Sequence, residues 1–435
     1  MSRTAHQKLP VSSPVSGQDA RNVIVIGAGI IGLCSALWLL RQGHRVTIVD
    51  PAPPREGGSY EQACSFGNAC TIAHHACLPV AMPGIGLKVP GMLLDPEGPL
   101  TIRWQHLWRM APWIFQFLRS STASEVERIT SVLSGLLSYA DDAYAPLFAD
   151  ANAAHLLRHD GCLYLYKNEK EFRATRVEAA LREKHHVHME VLGRDQIRQL
   201  EPNLLPLYER GVLFKDSYTV DSPRDLAFAL ADAVWRFGGS LIQGEAEQLL
   251  SCDDNVKTVV NGTALPADYV VVAGGAWSRK FIKSMQENVP LDTERGYHVF
   301  FPKPERHISR PVCYAQHGFY LTPVNGGIRA AGTVEFGSFE RRINAVRTKK
   351  IASVAHSLIQ GLGDPTSEWL GFRPSMPDSL PVIGPSGKDK RILYAFGHGH
   401  IGMTLGGITG RIIADLVSGR KPALDISPLR ANRFN

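Results

Sequence analysis

A chain of 435 residues is longer than one hydrophobic core normally serves, so two domains are expected. Hydrophobic residues at 44%, charged residues at 20% and a net charge of +6 describe an ordinary globular chain and exclude a disordered or fibrous one. With no Lys/Arg run, zinc-finger spacing or RNA-binding signature, nucleic acid is excluded as an expected partner.

Residues 1–20 are polar and lack an apolar stretch, so they read as a disordered leader and not as a signal peptide. Val23 to Ile26 is an apolar run suited to a buried parallel strand. Gly27, Gly29 and Gly32 follow with G-x-G-x-x-G spacing. The first glycine permits a tight turn, the second lets a pyrophosphate approach the backbone, and the third lets helix and strand pack closely. Leu33 to Gln42 is a predicted helix whose positive end faces the phosphates, and Gly43-His44 ends it. The next strand finishes at Asp50, 21 residues after Gly29, where a carboxylate can accept from a ribose 2′-OH. This constellation predicts a dinucleotide site without deciding between FAD and NAD.

Pro51 to Gly58 is a loop, and residues 59–82 look irregular. Seven cysteines (Cys34, Cys64, Cys70, Cys77, Cys162, Cys252, Cys313), an odd number with no C-x-x-C pair, predict reduced thiols and a cytoplasmic setting. Cys64, Cys70 and Cys77 cluster near His74 and His75, but the spacing matches no standard ligand set, so no metal is expected. Thr101 to Arg119 is an amphipathic helix with Trp104, Trp108, Met110 and Trp113. It reads as packing aromatics on the core, while Trp with Arg also suits a membrane surface, so a peripheral contact on an inner membrane face stays open. Nothing in the sequence reads as a transmembrane helix. Helical patterns follow at about 123–149, 169–184 and 347–361, with strands at 161–166 and 212–214. Ser222-Pro223-Arg224-Asp225 is a strong helix start, with Ser at the N-cap and Pro in the first turn; Gly238-Gly239 closes that helix. Strands are expected at 240–242, 246–250 and 268–273, the last running into Gly274 and Trp277. Two nucleotide-type strands so far apart imply a discontinuous cofactor domain with a second domain inserted. Finally, Gly397, Gly399 and Gly402 precede an apolar helix (Ile408, Ile412, Ile413, Leu416), a turn that offers free N–H groups to an electron-rich partner.

Four segments in order carry a resemblance: the N-terminal glycine motif, Val270-Val-Val-Ala-Gly-Gly-Ala-Trp-Ser278, the run from Trp369 to Gly384, and Phe396-Gly-His-Gly-His-Ile-Gly-Met-Thr-Leu-Gly-Gly407. Together they resemble the FAD-dependent D-amino-acid oxidase superfamily over about residues 22–420, and within it the bacterial D-amino-acid dehydrogenases of the small-subunit type. The resemblance implies an α/β (α+β) fold. It has a Rossmann-like FAD-binding domain (21–82, 210–285, 365–425) and a discontinuous substrate domain (83–209, 286–364) on a mixed, largely antiparallel sheet. The implied cofactor contacts are Gly27, Gly29, Ile30, Ile31, Gly32, Asp50, Gly274, Trp277, Gly371, Gly397, His398, Gly399, Gly402, Met403 and Thr404, with the backbone of Ala246 at the adenine. Ser65, Asn68 and Ala69 fall where relatives carry Ser-x-x-Asn-Ala-Gly, although Cys70 replaces the glycine. Some members attach FAD through a cysteine before the Pro-Asp pair. Residues 369–384 contain none, so non-covalent FAD is expected.

The implied chemistry is hydride transfer from the α-carbon of a D-amino acid or cyclic imino acid, such as D-proline or D-hydroxyproline, to flavin N5. Electrons then pass to a quinone or similar acceptor. Orientation is the protein's main task, and no side chain is an obligate catalyst. Arg373, in Gly-Phe-Arg-Pro, resembles the carboxylate-binding arginine of the family. Tyr297, Tyr320 and His400 are implied substrate neighbours, His75 a weaker one, and Glu335 a structural acceptor. A glycine- or sarcosine-type oxidase producing hydrogen peroxide, or the flavin subunit of a larger complex, is the alternative. Homo- or hetero-oligomers are both compatible with the sequence.

Overall fold

The apolar run at Val23 becomes the centre of a six-stranded sheet. The computed structural model describes residues 8–10, 13–58, 60–86, 100–102, 104–302, 308–314, 318–337 and 339–434, and the backbone alone within 100–109. Strand order is Ser240–Gln243, Arg45–Asp50, Asn22–Ile26, Tyr269–Val272, Ile392–Phe396, Val382–Pro385. The first five strands run parallel and the last antiparallel. Side chains alternate between the faces, as strand geometry requires. Val23 and Val25 join the core under the helices Ile30–Arg41, Pro223–Arg236 and Gly402–Val417. Ile24 and Ile26 join the core beneath the antiparallel meander Ala246–Ser251, Val256–Val260, Thr263–Ala267. Two of the helices approach so closely that a Cβ at Gly410 would sit 2.6 Å from the Cys34 carbonyl oxygen.

The second sheet has nine strands, mixed and largely antiparallel. Its path is Ser367–Ser375, Asp292–Pro302, Gly327–Phe336, Phe319–Val324, Val312–Tyr314, Cys162–Tyr166, Arg210–Phe214, Glu190–Gly193, with Leu100–Ile102 beside Gly327–Phe336. Val299 and Phe301 bury one face against Ile351, Ala355 and Leu358 of the helix Ala345–Leu358. The strands Arg210–Phe214 and Ser367–Ser375, expected in the cofactor domain, hydrogen-bond into this sheet instead. Sequence periodicity marks a strand but carries no label for its partner.

Several expected elements shift. The pattern at 123–149 is two helices, Ala123–Ser138 and Ala140–Asp150, because Tyr139 leaves helical geometry at ψ 1°. The pattern at 169–184 likewise breaks at Thr175. The helix expected from Thr101 starts at Trp104, after the strand Leu100–Ile102; Met110 and Trp113 bury against Phe336, and the Trp104 and Trp108 side chains lie outside the described residues. Residues 8–10 and 13–20, expected to be disordered, are tied to later parts of the chain. Leu9 N–H donates to Asp142 (2.5 Å), Val15 N–H to the Gln42 carbonyl (2.9 Å), and Arg411 Nη2 to the Pro10 carbonyl (2.9 Å). Among the described residues, no helix is long and apolar enough to cross a membrane.

Candidate cofactor and substrate site

Parallel strands deliver their carboxyl ends to one crevice, and in such sheets that is where ligands bind. Here the crevice is a cavity of about 310 Å³. Gly27 sits at φ +105°, where a Cβ would lie 2.6 Å from the Ala273 carbonyl oxygen. A Cβ at Gly32 would overlap the Gly27 carbonyl oxygen, so this glycine packs helix on turn and does not line the cavity. Gly29, Ile30 and Ile31 do line it, and Gly29 at the N-cap has no side chain of its own to accept from the first-turn N–H groups, which suits an anion. Asp50 also lines the cavity. Its Oδ2 accepts from Ala28 N–H and its Oδ1 from Ala52 N–H, each at 2.7 Å, so the carboxylate braces the glycine turn as well. Burial raises its pKa, and the two backbone N–H groups oppose that shift.

Three further segments close the cavity. Ser65 and Asn68 line it; Ser65 Oγ accepts from Ile30 N–H (3.3 Å) and meets Tyr60 Oη (2.7 Å). Ala69 turns away, its carbonyl taking the Thr322 hydroxyl at 2.9 Å. Cys70 keeps the left-handed backbone a glycine would supply (φ +61°), with Arg329 Nη1 donating to its Sγ at 3.2 Å. Ala246, Gly274 and Trp277 form another wall. The last is the turn before Gly402–Val417: His398, Gly399, Gly402 and Met403 line the cavity, and that helix also starts without a side-chain cap or an acid in its first turn. His398 is buried, its Nε2 2.9 Å from Thr409 Oγ1, and burial drives its pKa down to about 3, so the imidazole is neutral. Gly397 and Thr404 stand behind the turn; a Cβ at Gly397 would lie 2.7 Å from Met376 Cγ, and Thr404 Oγ1 accepts from Ala73 N–H at 2.9 Å. Gln62, Cys64, Lys280 and Arg341 also line the cavity, and no motif in the sequence pointed to them; Phe372 and Pro374, which flank Arg373 in Gly-Phe-Arg-Pro, line it too.

The second sheet supplies the other side. Arg373 pairs across from Glu294, and its guanidinium lies over Gly296, where any Cβ would overlap it. Nη1 of Arg373 is buried with no hydrogen-bond partner. Glu294 accepts from Ser375 Oγ (2.6 Å) and pairs with His400 Nε2 (3.0 Å). Burial pushes this carboxyl up, but His400, Ser375 and Arg373 more than offset it and hold it below the ordinary range. His400 therefore reaches the arginine only through Glu294. Trp369 inserts between Gly67 and Gly371, stacks on His298 (5.1 Å, 16°) and donates Nε1–H to the Glu61 carbonyl (2.8 Å). Gly371 is thus a slot for that ring, not a lining residue. Tyr297 is a correction: it occupies the opposite face of its strand from Glu294 and His298. Its hydroxyl donates to Glu335 (2.6 Å) and accepts from Arg295 Nε (3.2 Å), and burial with Glu335 pushes its pKa up to about 12. Tyr320 is on the Arg373 face, though outside the cavity lining. His74 and His75 diverge, one to Asp141 and the other to Ser217. Among the described residues, no group of three or more His, Cys, Asp or Glu gathers as a metal site.

Two helix starts whose N-cap residues supply no side-chain bond, a braced glycine turn and an acid at the strand end suit a dinucleotide, and a guanidinium whose Nη1 has no hydrogen-bond partner suits a carboxylate. Fold and cavity define a dinucleotide-dependent protein built around two large sheets. The sequence model of the FAD dependent oxidoreductase family, DAO, matches residues 22–416, and the chain belongs to that family. It is an FAD-dependent oxidoreductase. The chain is 37% identical over 423 residues to a D-amino-acid oxidase of Bradyrhizobium diazoefficiens, covering 96% of this chain and 99% of that one. It is 29% identical over 427 residues to a D-amino acid dehydrogenase of Agrobacterium fabrum, covering 95% and 99%. The crystal structure of glycine oxidase from Geobacillus kaustophilus superposes with a TM-score of 0.72 at 20% identity, covering 95% and 99%, a likeness of fold.

Proposed function

We propose that this protein oxidises the Cα–N bond of a D-amino acid or a D-configured cyclic imino acid. The observation that carries the reading is Arg373, a guanidinium with a buried, unpaired Nη1, set on the sheet face beside a cavity built for FAD. FAD, held by the two glycine turns and Asp50, would supply the acceptor for the hydride that leaves Cα. Everything else asked of the chain is orientation. Arg373 holds the substrate carboxylate with its planar fork, and the slot above Gly296 keeps that fork flat. Glu294, fixed by Ser375 and His400, sets a carboxylate beside the half-buried guanidinium before substrate arrives. Tyr320 contributes a hydroxyl on the same face. With the carboxylate and the α-hydrogen both fixed, only one enantiomer can place its side chain without a clash. The names of the relatives at 37% and 29% identity support the D form.

FAD is held without a covalent bond in this reading, since residues 369–384 contain no cysteine. Acid precipitation is expected to release the yellow colour into the supernatant. Colour left on the pellet would overturn this and direct attention to Cys64, a thiol that lines the cavity. The acceptor is a quinone or a dye-like substitute. The name of the 37% relative supports a second reading in which oxygen takes the electrons. The purified protein is to be screened with D- and L-amino acids and D-proline epimers, following dye reduction and peroxide together. Reduction by D-isomers with little peroxide is expected. Faster reduction by L-isomers would sink the proposal, and full turnover in air with stoichiometric peroxide would select the oxidase reading.

A further inference from the structure

Behind Tyr320 lies a polar chain that the site described above leaves unused. The Tyr320 hydroxyl bonds that of Tyr164; Tyr164 Oη lies 3.1 Å from His75 Nε2, and His75 Nδ1 lies 2.8 Å from Ser217 Oγ. His75 is 2% exposed and stacks flat on Phe214, with ring centroids 4.1 Å apart at 13°. The strand register fixes which way the outer end points. Arg373 is opposite Glu294, His298 is opposite both Trp369 and Ala331, and Ala331 is opposite Tyr320. Residues an even number apart on a strand share a face, so Tyr320 and Arg373 share one. The inner end is anchored too: Ala73, two residues before His75, donates its N–H to Thr404 beside the cavity-lining Met403. The chain therefore runs from Ser217 through His75 and Tyr164 to the substrate face, and the segment that carries His75 is tethered at Ala73 to the cofactor helix.

A neutral imidazole has one N–H and one lone pair. Burial first, then Arg182 and His74, push the pKa of His75 well below its ordinary value, so this ring stays neutral. A neutral ring between two hydroxyl partners polarises the chain in one direction. If Nδ1 carries the proton, Tyr164 donates to His75, Tyr320 donates to Tyr164, and the lone pairs of Tyr320 are left for a substrate N–H. With the proton on Nε2, every bond reverses and Tyr320 is free to donate to a carboxylate. A phenol without such a partner would offer both polarities in turn.

We propose that His75 and Tyr164 are positioning residues that fix the orientation of the Tyr320 hydroxyl and so the polarity it presents to the substrate. The proposal rests on the reading that Tyr320 faces the amino acid. The test is a double-mutant cycle on the FAD-loaded enzyme. Flavin reduction by the best D-amino acid is followed by stopped flow in Tyr164→Phe, Tyr320→Phe and the double variant, with flavin content and thermal midpoint measured for each. A lost neutral hydrogen bond predicts a drop in efficiency of about 3–10-fold for each single variant. The double variant is expected to be no worse than the weaker single, because Tyr164 acts only through Tyr320. His75→Gln, whose carboxamide can still meet Tyr164, is expected to retain more activity than His75→Asn, which is too short. Multiplicative effects of Tyr164→Phe and Tyr320→Phe would reduce Tyr164 to packing and overturn the proposal. Should Tyr164→Phe lose its flavin, equal losses in His75→Gln and His75→Asn would overturn it on their own. Tyr320→Phe without effect would remove Tyr320 from the substrate and the proposal with it, while D-amino acid oxidation, which rests on Arg373, would stand.

Discussion

Arg373 separates charge from shape. Arg373→Lys keeps the cation and loses the fork, and Arg373→Ala loses both, leaving Glu294 without its cationic neighbour. A charge-assisted bond is worth about 1.5–3 kcal/mol, so the alanine variant is expected to lose roughly 10–150-fold in flavin reduction efficiency, with lysine between it and the parent. Both should keep FAD. If stopped-flow reduction is unchanged but flavin is lost, the arginine is structural. Asp50 has a heavier task than the sequence suggested. A ribose acceptor was legible from its place at the strand end, but the bonds to Ala28 and Ala52 were not, since they depend on the folded course of two loops. Asp50→Ala is expected to weaken FAD binding by at least the roughly 10-fold of one lost charge-assisted bond. Equal FAD affinity in a titration of the apoprotein would show that the turn holds itself.

Among the elements, the glycines of the last helix set how near it comes to the first. A Cβ at Gly410 would fall 2.6 Å from the Cys34 carbonyl oxygen, well inside van der Waals contact, so Gly410→Ala must push two buried helices apart. Overpacking of this kind costs about 1–3 kcal/mol, and a thermal midpoint several degrees lower is expected, with flavin reduction by substrate little changed in the folded fraction. An unchanged midpoint would mean the helices have room the geometry does not show. Both nucleotide-type strands, the helix after Gly29 and the helix started by Ser222 were legible because each carries its own periodicity and punctuation. Tyr297 was misread for the opposite reason. Which side of a strand meets the ligand is set by register with its neighbours, and one residue of slip exchanges the faces. The breaks at Tyr139 and Thr175 carry no Gly or Pro, so nothing local announced them.

For the molecule as a whole, the cavity was legible in its glycine turns and in part of its walls (Ser65, Asn68, Ala246 and Trp277), but Gln62, Lys280 and Arg341 were not, because they come from segments that meet only after folding. The buried histidines give the whole protein an acid limit. Burial, then the charges of Arg420 and Arg21, lower the pKa of His44 from 6.5 to about 4, and burial lowers that of His398 to about 3. A depressed folded value means the unfolded chain binds the proton first. The stability these rings contribute is therefore present above about pH 6.5 and is lost as pH falls toward about 4. Thermal midpoints should be level from pH 8 to 6.5 and fall below that, less steeply in His44→Gln; a level profile down to pH 5 would refute this. Arg373 rests on a backbone that has no side chain at Gly296, so the two positions are bound to a shared history. A lineage can enlarge residue 296 only after surrendering the arginine, and a selection for revertants of Gly296→Ala should return changes at 373 or at 296 itself before any other site.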